Sequence, residues 1–155
     1  MSEDTHLNTN GCQQLIDEYL NWLRKGLSAR SIDGICELTT PFLDRHNDHL
    51  QIYAVEKEGL ILLTDDGYVL SDLRTSGLDM NTPKRKSLLS LVLNGFGVKK
   101  EGNELVVEAT SSNLGHRVHA LVQAMLAIND MFVMAQPPQS RTRRRARHHS
   151  EERRR

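Results

Sequence analysis

A chain of 155 residues with 38% hydrophobic, 26% charged and 5% aromatic residues has the size and composition of one ordinary globular domain, large enough to bury a continuous core without disulfide or metal support. Its formal net charge is zero, yet residues 141–155 hold eight arginines against two glutamates, so +6 there balances −6 in the rest. Two cysteines outside zinc-knuckle or redox spacing, a polar acidic start and no run of roughly 20 apolar residues argue against a disulfide scaffold, a signal peptide and a membrane span, and for a reducing cytoplasm.

Residues 1–11 are polar and are expected to be unstructured, and 12–136 to form the single folded domain. In 12–27, Cys12, Leu15, Ile16, Tyr19, Trp22, Leu23 and Leu27 recur at i, i+3, i+4, i+7, with Asp17, Asn21, Arg24 and Lys25 opposite, which predicts an amphipathic helix with its stripe on the core. Both Cys12, on that stripe, and Cys36 are expected to be packing residues, since neither has an evident basic partner. Three β-like runs follow: Ile35 to Thr40, His49 to Val55 and Leu60 to Thr64. Alternation in the second puts Leu50, Ile52 and Ala54 on the buried side. Glu58-Gly59 and Asp66-Gly67 are turn signals.

Thr82-Pro83 reads as an N-cap with proline at the first helical position, and the helix it opens stops at Gly95-Phe96-Gly97. Glu104 to Ala109 is a short strand. A long last helix runs from caps among Thr110 to Asn113 to about Met134, with Val118, Leu121, Val122, Met125, Ile128 and Phe132 facing the core. Together these elements predict an α+β fold: a small, mainly antiparallel sheet flanked by an N-terminal, a central and a long C-terminal helix. Residues 137–155 have no apolar period and are expected to be disordered.

Five ordered blocks carry a resemblance: TTPFLDRHNDHLQIY, ILLTDDGYVLSDL, TPKRKSLLSLVLNGFGV, ELVVEAT and HALVQAMLAINDMF. Over about Cys12 to Met134 the chain resembles the domain of unknown function 1828 family, small proteins frequent in bacteria and their prophages. The resemblance implies no reaction. Interference with a host defence system is a role suited to a small prophage-borne protein, by genomic analogy alone.

Four features carry candidate chemistry. Asp44-Arg45-His46-Asn47-Asp48-His49 sets two carboxylates and two imidazoles in six positions. With Asp65-Asp66 at the end of a neighbouring strand, His46, Asp48 and His49 are candidate metal ligands. The competing reading is a polar turn, because Asp, Asn and His cap turn amides and tolerate left-handed backbone. Helix, strands, helix, strand is also the order of a restriction-endonuclease-like core. That alternative makes Asp44, Asp48, Glu56, Asp65 and Asp66 the catalytic set with Mg²⁺ or Mn²⁺ and Glu18 the helix acid, but no Glu-x-Lys stands at the expected step.

His46/His49 and His116/His119 make two His-x-x-His pairs, a metal site only if the fold joins them. No phosphate-cradling glycine loop opens a helix and no Gly-x-Ser-x-Gly elbow appears, so the chain offers an enzyme little to work with. Arg141, Arg143, Arg144, Arg145, Arg147, Arg153, Arg154 and Arg155 are candidate phosphate contacts for salt-sensitive, sequence-independent nucleic-acid binding. Lys84, Arg85 and Lys86 form a second basic spot. The expectation is a non-catalytic binding module with a protein partner, its basic tail meeting nucleic acid or another anionic partner.

Overall fold

The computed structural model describes residues 6–135. The arginine-rich segment, with all eight of its candidate phosphate contacts, lies outside the described residues. Helix α1 (Thr9–Gly26) is followed by four strands, β1 (Ser28–Ile32), β2 (Ile35–Leu43), β3 (His49–Lys57) and β4 (Leu60–Thr64). Helices α2 (Tyr68–Thr75) and α3 (Pro83–Phe96) lead to β5 (Lys99–Glu101), β6 (Glu104–Ala109), helix α4 (Leu114–Asp130) and a 3₁₀ turn, Met131–Ala135. The strands form one antiparallel sheet in the order β1-β2-β3-β4-β6-β5. The α+β architecture with an N-terminal helix and a long C-terminal helix is the one the sequence predicts.

Tight hairpins set the register. β1 joins β2 through Asp33-Gly34 and β3 joins β4 through Glu58-Gly59, each pair with both residues at positive φ, the twist that two-residue hairpin loops require. On one sheet face Leu50, Ile52, Leu63, Leu105 and Val107 are buried, and α2 and α4 cover them with Leu73, Leu121, Met125 and Ile128. The alternation Leu50-Ile52 and the stripe of α4 are therefore core as expected, with Phe132 half-buried at the edge. Helix α3 begins as read: the Thr82 hydroxyl accepts from the Arg85 amide, and Gly97, at φ 69°, ends it.

Three elements go beyond the sequence reading: β1, β5 and α2. Helix α1 starts at Thr9, inside the segment expected to be unstructured, because the Asn8 side chain accepts from the Gly11 amide at 2.8 Å and caps it.

The expected burial of its stripe is overturned: no residue of α1 is buried. The helix meets the sheet through β2, where Gly26 lies so close to Pro41 that a Cβ would stand 2.5 Å from the proline ring. Leu23 is half-buried there, but Leu15, Ile16, Tyr19, Leu20 and Trp22 face solvent. Cys12 and Cys36 are likewise exposed rather than packed, since α1 and the β1–β2 edge extend past the layer covered by α2, α3 and α4. Among the described residues no helix is long and apolar enough to cross a membrane.

Candidate functional site

The run 44–49 is a turn whose side chains point in several directions, with only Arg45 and His46 sharing a partner. Asn47 takes φ 61°, the Asn47 amide donates to the Asp44 carbonyl, and the Asp44 amide donates to Asp48 O. The buried Asp44 carboxylate closes the loop: Oδ1 accepts from the amides of His46 (2.8 Å) and Asp48 (3.0 Å), and Oδ2 from the Tyr68 hydroxyl (2.9 Å). Burial alone would raise its pKa, but these donors outweigh burial and hold it below the ordinary value of 3.8. In return, burial and the Asp44 charge push the Tyr68 hydroxyl up to about 12.

Arg45 and His46 reach the helices. Arg45 Nη1 pairs with Asp72 Oδ2 at 2.7 Å and donates to Asn129 Oδ1 at 2.9 Å, Nη2 donates to the Ser76 hydroxyl, and the guanidinium stacks 4.5 Å over Phe132. His46 Nε2 lies 3.0 Å from the same Asp72. His49 turns the other way, and its Nδ1 donates to the Thr40 carbonyl at 2.8 Å. The loop is thus a clamp between β2–β3 and the ends of α2 and α4.

Asp65 is also structural. Its fully buried carboxylate accepts from three amides, Gly67 and Leu105 at Oδ1 and Val69 at Oδ2, tying the start of α2 to β6. Burial outweighs those bonds and raises its pKa.

Asp48, His49, Asp65 and Asp66 do line one cleft of about 430 Å³, together with Gln51, Tyr53, Tyr68 and Ser71. They do not converge on an ion: among the described residues no three His, Cys, Asp or Glu side chains are grouped closely enough to share a metal. The hypothetical nuclease set scatters further. Glu56 stands eight residues along β3 from Asp48, about 26 Å at strand rise, and exposed Glu18 lies on α1, outside the cleft. The two His-x-x-His pairs do not join either. His116 is thirteen residues before Asn129, the α4 residue that meets the 44–49 loop, about 20 Å at helical rise.

A different constellation comes together on the other side of α2. Arg74 at the end of α2, Lys86 in the first turns of α3 and Lys100 on β5 line one pocket of about 260 Å³. Its floor is Leu70, Leu78 and Leu89, and Asn81, Ser90 and Asn103 add polar groups. The three cations form no ion pair among the described residues, while Asp79 is the single acid of the lining. Of the basic spot read from the sequence, Lys86 joins this pocket, Lys84 is exposed outside it, and Arg85 folds back to donate to the Asp79 carbonyl at 2.8 Å. Arg74 and Lys100 escape a sequence reading because α2 is only eight residues long and β5, Lys-Lys-Glu, has no apolar pattern. The only signal was the Lys99-Lys100 pair.

Such a pocket is suited to an anion carried on a partly apolar group: cations from three elements surround an apolar floor, and hydrogen-bond donors stand at the rim. No curated protein and no solved structure is significantly similar to the chain. The family model described as Domain of unknown function DUF1828 matches residues 40–128, from the end of β2 through most of α4, and the chain belongs to that family.

Proposed function

We propose that the protein is a non-catalytic binding module that holds a nucleic acid through its phosphates, with the Arg74, Lys86 and Lys100 pocket as the folded contact and the arginines of 141–155 as an accessory one. One observation carries the reading: three cations, brought from α2, α3 and β5 to one concavity, outnumber its single acid, Asp79, and form no ion pair among the described residues. Unpaired cations gathered in one concavity repel one another, and a bound phosphate relieves that repulsion. The protein-contact half of the module is assigned to the exposed face of α1. A prophage origin and a role against host defence remain part of this proposal by genomic analogy.

Binding of a labelled oligonucleotide, measured across a salt series, tests it. Each phosphate contact contributes roughly 0.7 to 0.9 to the slope of log K against log salt. The triple variant Arg74→Ala/Lys86→Ala/Lys100→Ala is expected to lower that slope by about 2 and weaken binding at every sequence tried. An unchanged slope would remove the pocket from the function, and deletion of 141–155 separates the contribution of the tail.

The metal-dependent nuclease has less support, since Asp44 and Asp65 are engaged by backbone amides and Glu56 sits at the far end of β3. A cleavage assay with Mg²⁺ or Mn²⁺ is expected to show no activity. Cleavage that disappears in Asp48→Ala would reverse the preference.

A further inference from the structure

Leu15, Ile16, Tyr19, Leu20 and Trp22 are each 48–59% exposed, and Leu27, just past the helix end, 41%. Tyr19 and Trp22 stack on each other with centroids 6.4 Å apart, forming a flat apolar platform. These six leave on the order of 600 Å² uncovered, at the upper end of the largest apolar patch on a typical monomer and approaching the ~800 Å² per partner of a standard interface.

The charges beside the platform say what covers it. Asp17 and Arg24 are seven residues apart and so share one flank of the stripe, while Glu18 and Lys25 share the other. Both acids stand toward the N-terminal end and both bases toward the C-terminal end. A second α1 laid parallel would set acid beside acid and base beside base. Laid antiparallel about a two-fold axis at Asn21, it sets Asp17 opposite Arg24 and Glu18 opposite Lys25 on both flanks.

The same axis sets Tyr19 opposite Leu23 along the middle of the stripe, and brings Leu20 beside its own copy on one flank and Trp22 beside its own copy on the other. The body is attached at the C-terminal end of the helix, where Gly26 packs on Pro41. Antiparallel pairing places the two bodies at opposite ends of the helix pair, whereas parallel pairing crowds them at one.

We infer that the occupant of this face is a second copy of the chain, bound through α1 in antiparallel, two-fold symmetric register centred on Asn21. The inference rests on reading α1 as the protein-contact face, and the experiment tells the two apart.

Sedimentation of the full chain at tens of micromolar is expected to give twice the monomer mass. Reversing the acids (Asp17→Lys/Glu18→Lys) or the bases (Arg24→Glu/Lys25→Glu) is expected to give monomers, and an equimolar mixture of the two variants to restore the dimer. A spin label on Cys12 in a Cys36→Ser chain reads orientation: helical rise puts the two labels about 27 Å apart in the antiparallel pair and adjacent in a parallel one. Adjacent labels, or a dimer indifferent to both reversals, would overturn the register.

A monomeric full chain would overturn the second copy as occupant. Acrylamide quenching of Trp22, the single tryptophan, then separates the failures. Efficient quenching leaves α1 open to a different protein, whereas shielding in the monomer would also sink the protein-contact reading.

Discussion

At the scale of single residues, Asp44 and Asp65 do similar work with opposite pH consequences. In Asp44 the amides of His46 and Asp48 share Oδ1 while the Tyr68 hydroxyl uses Oδ2. Asparagine keeps the shared oxygen, and a hydroxyl can turn to accept from its amide, so Asp44→Asn is expected to cost about 1 kcal/mol at neutral pH and Asp44→Ala about 2–3. Because the folded pKa of Asp44 lies below the ordinary 3.8, its contribution is present above that value and is lost as pH falls through the folded one. Urea midpoints of wild type and Asp44→Asn should therefore converge on acidification below about pH 4. A gap that stays constant would show that charge is not what Asp44 supplies.

Asp65 has the reverse sign. Its raised pKa means that ionisation costs stability as pH rises from the ordinary carboxylate range through the folded value. Neutralising it is nevertheless no remedy. All three of its partners are N–H donors, so the amide nitrogen of Asp65→Asn must face one of them. That variant is expected to lose about 1–3 kcal/mol in denaturant melts despite removing a buried charge.

At the scale of elements, the 44–49 loop holds the ends of α2 and α4 through one guanidinium. Arg45 and Asp72 are 15% and 18% exposed at the side chain, dry enough for the pair to matter more than a surface bridge. Arg45→Ala removes the ion pair, the bonds to Asn129 and Ser76 and the stacking on Phe132, and is expected to cost about 2–3 kcal/mol. Arg45→Lys keeps a charge for Asp72 but not the planar fork, so it should recover less than half. A double-mutant cycle with Asp72→Asn measures the share of the ion pair; zero coupling would leave the clamp to Asn129, Ser76 and Phe132 alone.

The same loop explains which parts of the molecule the sequence discloses. Elements that bury one face, such as β3 and α4, write their period into the chain as Leu50-Ile52 and Leu121-Met125-Ile128. The edge strands β1, Ser-Ala-Arg-Ser-Ile, and β5, Lys-Lys-Glu, are exposed throughout and exist by hydrogen bonding to a neighbour, which leaves no apolar pattern. Asp33-Gly34 was the one available sign of the first hairpin. Helix α2 is eight residues long and follows a left-handed Asp66-Gly67 pair, with Asp65 as its cap from outside the usual position.

As for the candidate site, adjacency in sequence does not gather the side chains at one point: Asp44 turns to Tyr68, Arg45 and His46 to Asp72, and His49 to the Thr40 carbonyl. The pocket cations are scattered across 26 positions, from Arg74 to Lys100. Helix α1 has the amphipathic signature of a core helix, and periodicity alone does not say whether the partner is the same chain or another molecule.

At the scale of the whole molecule, the core lies between one sheet face and α2, α3 and α4, and α1 contributes nothing to it. Removal of residues 1–27 should then leave a body that unfolds cooperatively, since the hydrophobic residues that set its stability are all retained. Association through α1 adds a second, separable term. A dimer is stabilised by mass action, so the melting temperature of the full chain should rise with protein concentration, by a few degrees over a hundredfold range, while that of the truncated body stays fixed. Parallel thermal melts of the two at several concentrations read both effects at once. A truncated chain that no longer melts cooperatively would mean that the contact of Gly26 with Pro41 supports the sheet edge. A full chain with a concentration-independent midpoint would mean that α1 does not pair with itself in solution. Those outcomes depend on different bonds, the first on the foot of α1 and the second on its open face, so one set of melts assigns each end of the helix its role.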